Sequence, residues 1–163
     1  MVQITPNLWF DDNAEQAAQF YVAIFPGSRI TNIARYTAAG PGPEGQAVTV
    51  DFELDGQRFT GINGGPMFTF SEAVSFALPC ADQAESDRYW EALLADGGQP
   101  SQCGWLKDKF GLSWQVYPRA LGDYTADPDP ERAARATAAM LQMSRIDLAA
   151  VAAAADGLPQ EHS

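Results

Sequence analysis

Three carboxylates, Asp51, Glu53 and Asp55, alternate along one stretch with Phe52 and Leu54 between them. In an extended strand successive side chains point to opposite faces, so these acids share one side and carry the oxygen chemistry of a Mg²⁺ or Mn²⁺ site. A solvated strand face accounts for them more simply, because carboxylates on strands are usually exposed. Cys103, between Gln102 and Gly104-Trp105, offers a thiol that Lys107 or Lys109 would activate, against the plainer role of a small buried hydrophobe. Cys80 follows Pro79 at a strand end and carries no signal. The single histidine, His162, is the penultimate residue, in a terminal stretch where order is not expected. Residue type therefore excludes Ser-His-Asp and Cys-His nucleophilic chemistry and histidine-ligated zinc, iron or nickel. The two cysteines lack metal-type spacing and support neither a disulfide framework nor a zinc knuckle.

The elements that must position these groups are legible in outline. Residues 4–10 read as a strand, and Asp11-Asp12-Asn13 supplies an N-cap for a helix over 14–25 whose Ala17, Phe20, Tyr21, Ile24 and Phe25 make one apolar face. Strands are expected at 30–36, 47–54 and 58–62, with Asp55-Gly56 as a hairpin turn. The order then repeats: a strand at 73–78, a helix at 82–94 with Tyr89, Trp90, Leu93 and Leu94 inward, a short strand at 101–105, a turn at 107–111 and a strand at 112–117. Asp12-Asn13-Ala14-Glu15 parallels Asp82-Gln83-Ala84-Glu85, and aligning Gly56 with Gly111 sets Thr60 opposite Gln115, which points to internal duplication. Beyond Pro118, Asp129 with Pro130 starts an alanine-rich helix expected to reach about Ser144, and a shorter one follows with Asp147 near its start. Met140 and Met143 read first as packing residues there and second as dimer contacts.

Composition narrows the function. The chain has 163 residues, 46% hydrophobic and 11% aromatic, which is one domain's worth of core-forming material. A formal charge of -11 repels a phosphate backbone or an anionic membrane, so no nucleic acid and no membrane partner is expected. The apolar run at 148–155 is far shorter than the roughly 20 residues a membrane span needs, and a cytoplasmic location is expected.

Thr5-Pro6-Asn7-Leu8-Trp9-Phe10-Asp11-Asp12-Asn13-Ala14-Glu15, Asn63-Gly64-Gly65-Pro66 and Gln102-Cys103-Gly104-Trp105-Leu106-Lys107-Asp108-Lys109-Phe110-Gly111-Leu112-Ser113-Trp114-Gln115 carry a further signal. Together with Asp127-Pro128-Asp129-Pro130-Glu131 and Met140-Leu141-Gln142-Met143, they resemble the PhnB-like family, often labelled 3-demethylubiquinone-9 3-methyltransferase. That family lies within the vicinal oxygen chelate superfamily of glyoxalase and bleomycin-resistance proteins. The resemblance implies an α+β fold of two βαβββ modules forming a curved mixed sheet around a cleft, commonly in a homodimer. The expected layout is one domain over 1–156, with module one at 3–65, module two at 71–120, C-terminal helices at 129–155 and a tail at 157–163.

Metal-dependent members of the superfamily hold a divalent ion on His or Gln from the first strand and Glu from the last strand of each module. The resemblance sets Gln115 at one glutamate position, Thr60 or Gly61 at the other, and Pro6 or Asn7 and residues 73–75 at the first-strand positions. Such a set offers neutral oxygens, which bind a dehydrated divalent cation poorly. No metal and no cofactor is expected. Nor does a Gly-rich turn follow the first strand to hold a methyl donor, so the methyltransferase label is not carried over. The expected ligand is a small organic molecule, held by aromatic and neutral polar residues: Asn7, Trp9, Thr60, Asn63, Ser75, Gln102, Cys103, Trp105, Trp114 and Gln115. Phe68 and Phe70 are further aromatic candidates, and Gly64-Gly65-Pro66 reads as a linker turn rather than a phosphate cradle. The alternative is an enzyme of lyase, isomerase or dioxygenase type, working through a carboxylate-bound ion or through Gln115 polarising a carbonyl.

Overall fold

The structure, a computed structural model, describes residues 2–158; His162 and the rest of the terminal stretch from residue 159 lie outside it. The chain divides into two compact units, Met1–Phe70 and Ser71–Ser163. The fold is α+β, with two four-stranded mixed sheets and C-terminal helices.

The first unit contains β1 (Asn7–Phe10), α1 (Ala14–Ile24), β2 (Arg29–Arg35), β3 (Ala47–Leu54) and β4 (Gln57–Asn63). The strands lie in the order β1-β4-β3-β2, with β1 parallel to β4 and the other pairs antiparallel. Alternation decides which side is buried. Leu8 and Phe10 of β1, Val50, Phe52 and Leu54 of β3 and Phe59 of β4 are buried against α1, which presents Ala14, Ala17, Ala18 and Tyr21. Tyr21, Phe52 and Phe59 stack in sequence, with ring centroids 6.2 and 5.4 Å apart. The small residues of α1 let the helix lie close to the sheet: a Cβ on Gly61 would stand 3.1 Å from that of Ala14. Asp55 and Gly56, at φ 46° and 82°, make the tight hairpin between β3 and β4.

The second unit repeats the plan with β5 (Ser75–Cys80), α2 (Gln83–Leu94), β6 (Gln99–Pro100), β7 (Trp105–Lys107) and β8 (Ser113–Pro118). Its order is β5-β8-β7-β6, with β5 parallel to β8, so strand for strand the two sheets have the same topology. Leu106, Trp114 and Val116 are buried on the side of Trp90 and Leu93 of α2. Three helices follow: α3 (Leu121–Thr125), α4 (Pro130–Met140) and α5 (Leu148–Ala155). Their shared core is Leu121, Ala136, Ile146, Val151 and Ala155, with Tyr117, Met140 and Met143 packed against it. Asp129 and Asp147 cap α4 and α5, and Arg135 donates to the Ala155 carbonyl at the far end of α5. Among the described residues no helix is long and apolar enough to cross a membrane.

Several expectations are corrected. The strand expected at 101–105 is a turn: Cys103 and Gly104 adopt φ 56° and 82°, and their amides donate to the Met143 and Ser144 carbonyls rather than to a ladder. Gln102 and Cys103 are therefore turn residues. The helix after Asp129 stops at Met140 rather than near Ser144, and α3, too short for a periodic signal, was not expected. Asp55 leaves the acidic row of β3 because the hairpin turns there.

Candidate functional site

In each sheet the alternation that buries one side against a helix leaves a second side facing away from it. In the first unit this outer face carries Asn7 and Trp9 of β1, Thr60 and Ile62 of β4, Thr49, Asp51 and Glu53 of β3, and Asn32 of β2. Asn7 is paired in register with Thr60 and Trp9 with Ile62, so the two expected polar positions are immediate neighbours. The Thr60 hydroxyl donates to Asp51 Oδ1 at 2.7 Å, and the Asn7 amide donates to the Thr5 carbonyl at 3.0 Å. Trp9 is half-buried, its Nε1–H held by the Gly65 carbonyl at 2.9 Å and its ring met edge-on by Phe68 at 5.1 Å. Gly64 makes room for that indole, since a Cβ there would stand 2.2 Å from Trp9 Cζ2. The amides of Gly64 and Gly65 donate to the Phe10 and Asp11 carbonyls, so neither is held ready for a phosphate.

Asn63 is not on this face. It ends β4 on the α1 side, where its Oδ1 accepts the Ala14 amide at 2.8 Å and its Nδ2 donates to the Ala47 carbonyl at 2.9 Å. The expected capping residue Asn13 makes no side-chain cap, and Asn63 does that work from across the sheet. Phe70 likewise packs on the inner side, edge-on to Phe10 at 5.2 Å.

In the second unit the outer face carries Ser75 of β5, Ser113 and Gln115 of β8, and Trp105 and Lys107 of β7. Gln115 Nε2 donates to the Ser75 hydroxyl oxygen at 2.9 Å, and Trp105 sits in register beside Gln115. Lys107 forms an ion pair with Glu72. Trp114 belongs to the opposite face. It is 2% exposed, packs on Phe76 at 5.5 Å and donates its Nε1–H to Asp108 Oδ2 at 2.9 Å, so it is a core residue rather than a wall of the outer face. Asp108 itself is 3% exposed and also accepts the amides of Phe110 and Leu112, which fixes the turn leading into β8. The sequence reading missed this role; the pattern that carries it is an Asp two residues before an aromatic and three before a turn glycine.

The donors on these faces do not fit a divalent cation. Asn7, Thr60, Ser75 and Gln115 are neutral, and the bonds just described tie each of them to a neighbour within its own unit. The acids nearby are already matched: Glu53 pairs with Arg29 at 2.9 Å and Arg58 at 3.4 Å, and Asp51 accepts from Thr60. Among the described residues no three His, Cys, Asp or Glu side chains gather into a ligand set. Burial pushes the Cys80 thiol up to about 11, with the charge of Glu85 adding to it, which makes it inert as a nucleophile at neutral pH.

Residues 2–117 match the family described as 3-demethylubiquinone-9 3-methyltransferase. A solved structure from Bacillus cereus, described as a 3-demethylubiquinone-9 3-methyltransferase, PhnB protein, is 36% identical, with 72% of this chain and 99% of that one covered and a TM-score of 0.66. Protein PA1353 from Pseudomonas aeruginosa shares the fold at 20% identity, covering 70% of this chain and 95% of its own, with a TM-score of 0.58. A glyoxalase/bleomycin resistance protein from Albidiferax ferrireducens T118 also matches, at 15% identity, 68% and 92% cover and a TM-score of 0.45. No curated protein matches the chain.

Proposed function

Since this chain belongs to the PhnB-like family labelled 3-demethylubiquinone-9 3-methyltransferase, we propose that it is a metal-free protein that binds a small organic molecule. The observation that carries the reading is the furnishing of each outer face by itself: Trp9 stands with Asn7 and Thr60 on one sheet, and Trp105 stands with Gln115, bonded to Ser75, on the other. Half-buried indoles supply apolar contact area, and amides and hydroxyls supply direction without the desolvation cost of a charge. That combination suits an aromatic or amphipathic ligand. The homodimer implied by the family resemblance belongs to the same proposal, and sedimentation of the full chain tests it.

Methyl transfer is a poorer fit. The residues after β1 are Asp11-Asp12-Asn13, not a Gly-rich turn, and a mixed sheet of order β1-β4-β3-β2 has no switch point between parallel strands where a nucleoside cofactor would sit. Titration calorimetry with a panel of aromatic and amphipathic compounds is the test, alongside elemental analysis of protein purified without added metal. Saturable heat with at least one compound and no stoichiometric metal is the expected result. A silent panel, or one transition metal per chain, overturns the reading.

A further inference from the structure

Ser113, the first residue of β8, is 2% exposed and its hydroxyl has no hydrogen-bond partner among the described residues. A buried hydroxyl without a partner is unfavourable, and native folds keep few of them. The other one among the described residues, Ser86, faces the Cys80 thiol beneath α2. Ser113 is on the outer side of its sheet. It is paired in register with Ser75 of β5 on one flank and with Lys107 of β7 on the other, and residues directly opposite in neighbouring strands share a face. Ser75, Ser113 and Lys107 thus form one row across three strands, next to Gln115.

Lys107 of β7 pairs with Glu72, three residues before Ser75, so the ion pair joins β7 to the segment leading into β5, the two strands that flank β8. The ammonium is 34% exposed and the carboxylate 65% exposed, and exposed pairs of this kind hold weakly. Lys107 and the backbone amide of Glu72 hold the Glu72 carboxyl below the ordinary range, so that carboxylate is charged at neutral pH.

We propose that Lys107, Ser113 and Ser75 form a carboxylate subsite that Glu72 closes in the ligand-free chain, and that a small organic acid displaces Glu72 to take its place. This rests on the reading of the outer face as a ligand surface. An incoming carboxylate would keep the charge pairing with Lys107 and add a bond from the Ser113 hydroxyl, which Glu72 does not receive. Ligand acids therefore have an advantage over the tethered one in geometry, while the tether gives Glu72 its advantage in local concentration.

The test uses two acids, benzoate and indole-3-acetate, and their amides, titrated into the ¹⁵N-labelled full chain and followed by amide chemical shifts. The acids are expected to bind more tightly than the amides and to move the Lys107, Ser113 and Ser75 signals. Glu72→Gln, an exposed substitution, should tighten the acids about tenfold and leave the amides within about twofold. Ser113→Ala should weaken the acids about fivefold, and Lys107→Gln should erase the preference for acids. If amides bind as well as acids, or Glu72→Gln leaves the acids unchanged, the subsite is overturned and the binding reading survives. If neither these probes nor the wider panel binds, both fall together.

Discussion

The two sheets share a strand order but spend their polar residues differently. In the first unit the outer face is electrostatically closed: Glu53 sits between Arg29 and Arg58, and Asp51 holds Thr60. In the second the outer face keeps, among the described residues, an unpartnered hydroxyl at Ser113 beside the Lys107–Glu72 ion pair and a Gln115–Ser75 bond. The helix caps differ as well. Asp82 caps α2 from within its own segment, accepting the Glu85 amide at 2.8 Å, whereas α1 relies on Asn63 from β4. A shared topology therefore leaves each copy free to place its satisfied and unsatisfied groups separately.

The contrast breaks most sharply at Asp108, which has no counterpart among the acids of the first unit. Asp108→Ala strands three buried or half-buried donors, from Phe110, Leu112 and Trp114, and should cost about 3 kcal/mol or more in urea unfolding. Next is Asn63→Ala, which removes a helix cap and a bond to Ala47 together; about 2 kcal/mol is expected, against about 1 kcal/mol for Asp82→Ala, and equal costs would show that the two caps are equivalent. A pH series gives a direction. The folded Cys80 thiol titrates at about 11, above its ordinary value of 9.0, so the folded state holds its proton more tightly than the unfolded one. Stability present below pH 9.0 should then decline between 9.0 and about 11, and Cys80→Ala should flatten that decline in the urea midpoint. The smallest effect is expected at the rim of the first sheet: Arg29, 71% exposed, should cost about 0–1 kcal/mol on replacement by Ala, measured the same way.

Much of this architecture was legible in the residues. Alternation in β3 and the apolar spacing of α1 required only side-chain periodicity, and Asp55-Gly56 forced a tight hairpin because both residues accept positive φ. Asp129-Pro130 and Asp147 marked two helix starts by local hydrogen bonding alone. The site was read less well. Gln102 and Cys103 were expected on a short strand at 101–105, yet Gly104 bends the chain there: a Cβ at that position would stand 2.6 Å from the Val116 carbonyl oxygen. Trp114 and Asn63 are chemically suited to a ligand face, and one residue of register puts each on the other side.

The sequence by itself determined the element order of the first unit, the duplication and the absence of an internal histidine, since each follows from residue type and short-range spacing. Which face each polar group occupies, which helix Asn63 caps and why Ser113 is buried without a partner were decided only in the tertiary structure. These depend on strand register, on contacts between residues far apart in the chain that no local pattern encodes.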